Sequence, residues 1–304
     1  MNPPRLPTLP LVLSLSLLAC GEPGAPHVNV PPTDLESTSG GQPNTDGGVR
    51  TDGGQTGTGG QPNTDGGVST DGGVRTDGGV RTDGGVPTSG YFSTLPVGST
   101  LPSGAECAGR VRRSSWEPRP ANATANQTKG VGGIRVEGGS DTYNSRYVSR
   151  VDGNFTGTTD EIIQWGACKW GFDEDITRSV AVVESWWRQS HVGNEGESFG
   201  LMQVRATVHI GTYPYSRNST AFNVDYALAF RRACFEGEFT WLNGAGKQGG
   251  YVKGDEWGCV GVWYSGDWYD GSELVPYSGA RYYIKEVKHT FAKRIWTTVE
   301  FTYP

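Results

Sequence analysis

Two short strings hold the residues best suited to chemistry: Glu184-Ser185-Trp186-Trp187 and, less than twenty residues on, Gly200-Leu201-Met202-Gln203. Ile176, Val180, Val183 and Trp187 fall at i, i+4, i+7 and i+11, an apolar stripe at helical spacing. Glu184 is i+8 on that stripe. An ionised carboxylate there is poorly solvated, so its pKa rises toward neutrality and the group keeps a proton to donate. Such a carboxyl beside a ligand-binding loop suits general acid catalysis on a glycosidic bond. The competing reading is a buried Glu184 neutralised by Arg178 or Arg188, or one at the edge of the stripe reaching water.

The second string follows a loop of small and polar residues, His191–Phe199. Gly200 permits close backbone approach to a ligand, and Gln203 both donates to and accepts from an acetamido group. Cleavage with two carboxylates needs a second acid. Glu195, Glu197, Asp225, Asp255 and Asp267 are available for it, none within a motif. There is no Cys-x-x-Cys and the four His are scattered, so no metal site and no cofactor are expected.

Glu184-Ser185 followed by Gly200-Leu201-Met202-Gln203 resembles the soluble lytic transglycosylases, a lysozyme-like family that cuts bacterial cell-wall glycan. The resemblance covers roughly residues 158–296. It implies Glu184 as the single catalytic acid and base, with Met202 and Gln203 at the glycan cleft. The family often has a Ser about nine residues after its Glu; here that place reads Gly193-Asn194, with Asn194 or Ser198 as substitutes. The family's Ala-Tyr-Asn-Ala-Gly motif has a loose counterpart in Val262-Trp263-Tyr264-Ser265-Gly266. That puts Trp263 and Tyr264 among the substrate-binding residues, and a hydroxyl facing Glu184 comes from Tyr264 or is absent. Trp263, Trp268 and Tyr269 serve equally as sugar-stacking faces or as ordinary packing.

The resemblance implies a peptidoglycan lytic transglycosylase that leaves 1,6-anhydro-muramic ends. A lysozyme- or chitosanase-like hydrolase and an inactive wall-binding lipoprotein remain as alternatives.

The elements that must position these residues are mostly helices. Thr158 with Glu161 predicts a capping box for a helix closing near Gly171. Asp173 or Asp175 caps the next, which is expected to reach about Gln189. Further helices are expected over Val224–Glu236, after Asp255, and from about Ser278 to Trp296. The predicted fold class is α+β, predominantly helical and lysozyme-like, over residues 158–304. Residues 89–157 read as an irregular extension, with short strands at Ile134–Val136 and Tyr147–Val151.

All ten Trp lie beyond residue 88, whereas 19 of the 47 Gly lie before it. Gln42–Val49 and Gln61–Val68 are identical, and Thr-Asp-Gly-Gly-Val recurs at Thr70, Thr76 and Thr82. Residues 20–88 therefore read as a disordered linker rather than a calcium-binding repeat. As a Gly-rich coil it would span roughly 45 Å.

Residues 1–19 read as a lipoprotein signal peptide ending in Leu17-Leu18-Ala19-Cys20, with lipid expected on Cys20. An ordinary signal peptide cleaved near Ala19 is the alternative. Export to the cell envelope, with outer-membrane attachment through the lipid, is the expected location. Cys107, Cys168, Cys234 and Cys259 then form two disulfides. Of three possible pairings, Cys107 with Cys168 and Cys234 with Cys259 join neighbouring segments.

Beyond residue 88 the chain carries 22 basic and 23 acidic residues. A balance near neutrality gives no electrostatic case for nucleic acid. The expected partners are glycan strands and, through the lipid, a membrane; a monomer is expected.

Overall fold

A computed structural model describes residues 92–302. The signal peptide, Cys20 and the repeats of residues 20–88 lie outside the described residues. The helices are α1 (Gly104–Arg110), α2 (Ala123–Gln127), α3 (Asp141–Arg146), α4 (Thr159–Trp170) and α5 (Glu174–Ser185). A small antiparallel sheet follows, β1 (Val192–Gly193), β2 (Ser198–Phe199) and β3 (Val204–Arg205), in the order β1-β2-β3. Then come α6 (Tyr215–Asn218), α7 (Thr220–Glu236), α8 (Glu256–Ser265), α9 (Ala280–Lys293) and α10 (Val299–Thr302). The fold is predominantly helical, with one three-stranded sheet.

Helix α4 runs through the middle, and every one of its twelve residues is buried. Thr158 and Glu161 form the reciprocal capping box at its start, and Gly171 closes it. Gly166 lets α7 come close: a Cβ there would meet Val224 Cγ1 at 2.6 Å. Asp173, accepting from the Asp175 and Ile176 N–H groups, caps α5.

Charged residues at the heart of the fold are paired. Asp225 on α7 accepts from Lys169 Nζ at 2.7 Å, from Trp170 Nε1 at 2.7 Å, and from the Asp152 and Gly153 N–H groups at 2.9 Å each. Arg178 donates to Asp160 at 2.7 Å, Asp175 at 2.6 Å and Glu174 at 3.0 Å. Sulfur–sulfur distances of 2.08 Å and 2.00 Å join Cys107 to Cys168 and Cys234 to Cys259. Among the described residues, no helix is long and apolar enough to cross a membrane.

Two expectations are corrected. No strand forms at Ile134–Val136 or Tyr147–Val151. The Val136 N–H and carbonyl are both taken by the Asn144 side chain, at 2.8 and 3.1 Å, so no neighbouring strand is needed. Tyr143, Tyr147, Val148 and Val151 are buried at helical spacing, across α3 and the 3-10 turn after it. The second correction concerns α5, which ends at Ser185 rather than near Gln189. Trp186 and Trp187 both adopt left-handed backbone, φ 56° and 59°, without a glycine to announce it. Such a conformation costs roughly 1–2 kcal/mol per residue, so its surroundings must hold it.

Candidate functional site

Because α5 stops one residue after it, Glu184 stands at the helix end, where α8, α9 and the β2–β3 turn converge. The residue is half-buried. The carboxyl itself is packed deeply enough for desolvation to push it up to about 8. Two donors oppose that shift without cancelling it. Tyr283 on α9 donates to Oε1 at 2.5 Å, and the Trp263 side chain on α8 also favours the charged form.

Among the described residues no cation offsets the burial. Arg178 is engaged with Asp160, Glu174 and Asp175, and Arg188 is exposed. Glu184 is therefore a protonated acid at neutral pH rather than half of an ion pair.

The Gly200–Gln203 tetrad is the four-residue turn joining β2 to β3. Its backbone is clamped from every side. Ser185 Oγ donates to the Leu201 carbonyl at 2.8 Å, and Trp263 Nε1 to the Met202 carbonyl at 3.0 Å. The Leu201 N–H donates to Gln189 Oε1 at 2.9 Å and the Met202 N–H to Asn223 Oδ1 at 2.7 Å.

Gly200, at φ +81°, has Asn223 Nδ2 at 2.4 Å and Gln189 Nε2 at 2.7 Å from where a Cβ would sit. The close approach it permits is to the protein's own side chains, not to a ligand. Gly200→Ala should cost about 3 kcal/mol, read from urea denaturation, since a strained φ and a clash act together.

The residues singled out beside Glu184 divide. Trp263 and Tyr264 lie next to it. Tyr264 stacks flat on Tyr283, ring centroids 4.8 Å apart, and its own hydroxyl is buried without a hydrogen-bond partner. Burial and the nearby Glu184 push that phenol up to about 12, so it stays protonated. Gln203 spends its amide N–H groups on the Gly200 and His191 carbonyls, at 2.8 and 3.2 Å.

Met202 is fully buried, so its side chain belongs to the core that supports the turn rather than to an open surface. Ser198 is fully buried too, its hydroxyl accepting from Asn194 Nδ2 at 2.7 Å. Trp268 packs edge-on against Tyr251, and the Tyr269 hydroxyl donates to Asp255. These two rings pack around α8.

Tyr283 went unnoticed in the sequence, yet a signal was there. Ala280, Tyr283, Ile284 and Val287 make a buried stripe on α9, and a tyrosine on such a stripe needs a partner for its hydroxyl. His209 is a second addition. It lies flat on Trp263 at 5.2 Å, accepts or donates at Nδ1 with the Tyr226 hydroxyl at 2.8 Å, and is held by burial at about 4, hence neutral.

The five spare acids do not converge on Glu184. Asp225 holds Lys169, and Glu197 pairs with Arg205 at 2.7 Å. Asp255 caps α8, Asp267 accepts from the Trp268 N–H, and Glu195 is exposed. Among the described residues no cluster of His, Cys, Asp and Glu has the arrangement of a metal site. Compared with models of protein families and with curated proteins, the chain matches none.

Proposed function

We propose that this chain is a peptidoglycan lytic transglycosylase of lysozyme-like architecture, using Glu184 as its only acid and base. The observation that carries the reading is a carboxyl packed at the end of α5 and hydrogen-bonded by Tyr283, with no cation and no second carboxylate acting on it among the described residues. A short sheet tied to the acid-bearing end of α5, with α5 packed on the wholly buried α4, supports the lysozyme-like part.

Oε1 accepts from Tyr283, which leaves Oε2 to carry the proton. Glu184 delivers it to the oxygen between N-acetylmuramic acid and N-acetylglucosamine as the C1–O bond breaks. The 2-acetamido oxygen of the muramic residue closes on C1 and takes up the positive charge, in place of a protein nucleophile. Glu184, now ionised and held by Tyr283, removes the proton from the 6-hydroxyl. O6 then bonds to C1, the acetamido group is released and the 1,6-anhydro ring is complete. Glu184 ends protonated, ready for the next bond. Under this reading a lipid on Cys20 and the repeats of residues 20–88 would let the domain reach the wall from a membrane.

Muropeptides released by the purified protein should carry 1,6-anhydro ends in mass spectrometry, 18 Da lighter than hydrated ones by the loss of one water. Hydrated reducing ends alone would assign a hydrolase instead. Activity should fall as pH rises through about 8, where the acid loses its proton. Tyr283→Phe removes a hydrogen bond that favours the charged form, so the alkaline limb of the profile should move to higher pH. The rate should drop about tenfold because the carboxyl loses its orientation. Initial rates of wall clearing between pH 6 and 10 measure both.

A further inference from the structure

Residues 116–122 precede the stretch that resembles the transglycosylases, and nothing so far gives them a part in the chemistry. Their contacts are with the turn that follows the acid. Arg119, 4% exposed, donates from Nε to the Trp186 carbonyl at 2.8 Å and from Nη1 to the Phe301 carbonyl at 2.6 Å. Asn122, 2% exposed, donates to the Trp187 carbonyl at 2.8 Å and accepts from the Gln189 N–H at 2.9 Å. Gln189 Oε1 in turn accepts from Leu201 in the β2–β3 turn, so one buried network reaches both sides of the site.

The segment is itself anchored. Glu117 accepts from the Thr159 N–H at 2.7 Å, from Asn126 at 2.9 Å and from the Arg119 N–H at 2.8 Å, which fastens it to the start of α4. Trp116 meets Trp187 edge-on at 5.8 Å.

Two successive non-glycine residues in left-handed backbone persist only where their surroundings over-determine them. Here the carbonyl of each is taken by one side chain of the segment. Without those partners the turn relaxes toward ordinary helical or extended backbone, and the last turn of α5 moves with it.

We propose that residues 116–122 form a brace, with Arg119 and Asn122 as positioning residues, which holds the Trp186–Trp187 turn and so keeps the Glu184 carboxyl against the Tyr283 hydroxyl. The proposal rests on Glu184 being the acid. The charged groups facing Arg119 are Glu117 and Arg188; Glu184 faces the neutral Tyr283, Tyr264 and Trp263 side chains, and Arg231 acts on Tyr283. No charge of the brace acts on Glu184 directly, so its influence runs through the backbone.

The test uses the full chain with 13C-labelled glutamate carboxyls, titrated by NMR and assigned with Glu184→Gln, alongside wall digestion. Asn122→Ala and Arg119→Lys should let water reach the carboxyl, which outweighs the lost Tyr283 hydrogen bond because burial is the larger cause, and shift the Glu184 midpoint about one pH unit toward the usual carboxylate range. They should lower kcat about tenfold and leave KM within about twofold. Arg135→Ala, which breaks only the exposed pair with Asp141, should change neither. A folded Asn122→Ala protein with the wild-type midpoint and kcat overturns the brace, and it decides alone if Arg119→Lys fails to fold. If wild type releases no anhydro ends, the proposed activity falls by itself, while the titration still judges the brace.

Discussion

Glu184→Gln should give a folded protein that binds cell-wall glycan and clears it at least about a thousandfold more slowly, since an amide has no proton to donate. The same substitution should stabilise the fold at alkaline pH. The sign follows from the direction of the shift. Below pH 4.5, the ordinary value for a glutamate, both folded and unfolded chains hold the proton and burial carries no ionisation penalty. Between 4.5 and about 8 the unfolded chain releases the proton while the folded one keeps it, so stability declines as pH rises.

Above that window the loss is complete. At ~1.4 kcal/mol per pH unit, discounted because the residue is half-buried, it comes to about 2–3 kcal/mol. Glutamine titrates nowhere and accepts from Tyr283 as before. Urea denaturation should therefore find wild type and variant equal at pH 4 and the variant more stable by about that amount at pH 9. Equal stability at both pH values would mean that the carboxyl is not desolvated, and unchanged wall clearing would remove it from the mechanism.

Asp225→Asn should be the most destabilising single change at a polar position, by about 3–5 kcal/mol, because it leaves the buried Lys169 without its main counter-charge. For a domain of this size that lowers Tm by roughly 10 °C. The contacts to the Asp152 and Gly153 N–H groups weaken as well, so the extension before α4 should loosen with the core. Calorimetry checks the stability, and wall clearing at low temperature, where the variant remains folded, checks the role. A protein that keeps its rate has lost a structural ion pair. Lost activity in an intact fold would instead mean that the ion pair positions the site from a distance.

Much of the helical frame was legible because capping residues announce it. Thr158 with Glu161, Gly171, Asp173, Gly237 and Asp255 all stand where local hydrogen bonding predicts. The acid was legible for a related reason, since a carboxylate on an apolar stripe is conspicuous. What escaped depends on partners far along the chain. The carbonyls of the Trp186–Trp187 turn are taken by Arg119 and Asn122, more than sixty residues upstream, and no local pattern predicts tryptophan in left-handed backbone. The hydroxyl on Glu184 comes from Tyr283, ninety-nine residues away. Tyr264, its stacking neighbour, was the expected source because it lies in the more recognisable string. Ile134–Val136 has strand composition, but the Asn144 side chain supplies what a neighbouring strand would have offered.

The disulfides close two rings, one around the buried brace and one around a stretch open to attack. The Cys107–Cys168 ring contains the brace, and the Cys234–Cys259 ring contains the largely exposed residues 243–250. Proteases cut such surface segments first. A single cut inside either ring leaves both pieces covalently joined, still held by the helices on either side. The fold is thus built to stay joined after nicking at that exposed loop.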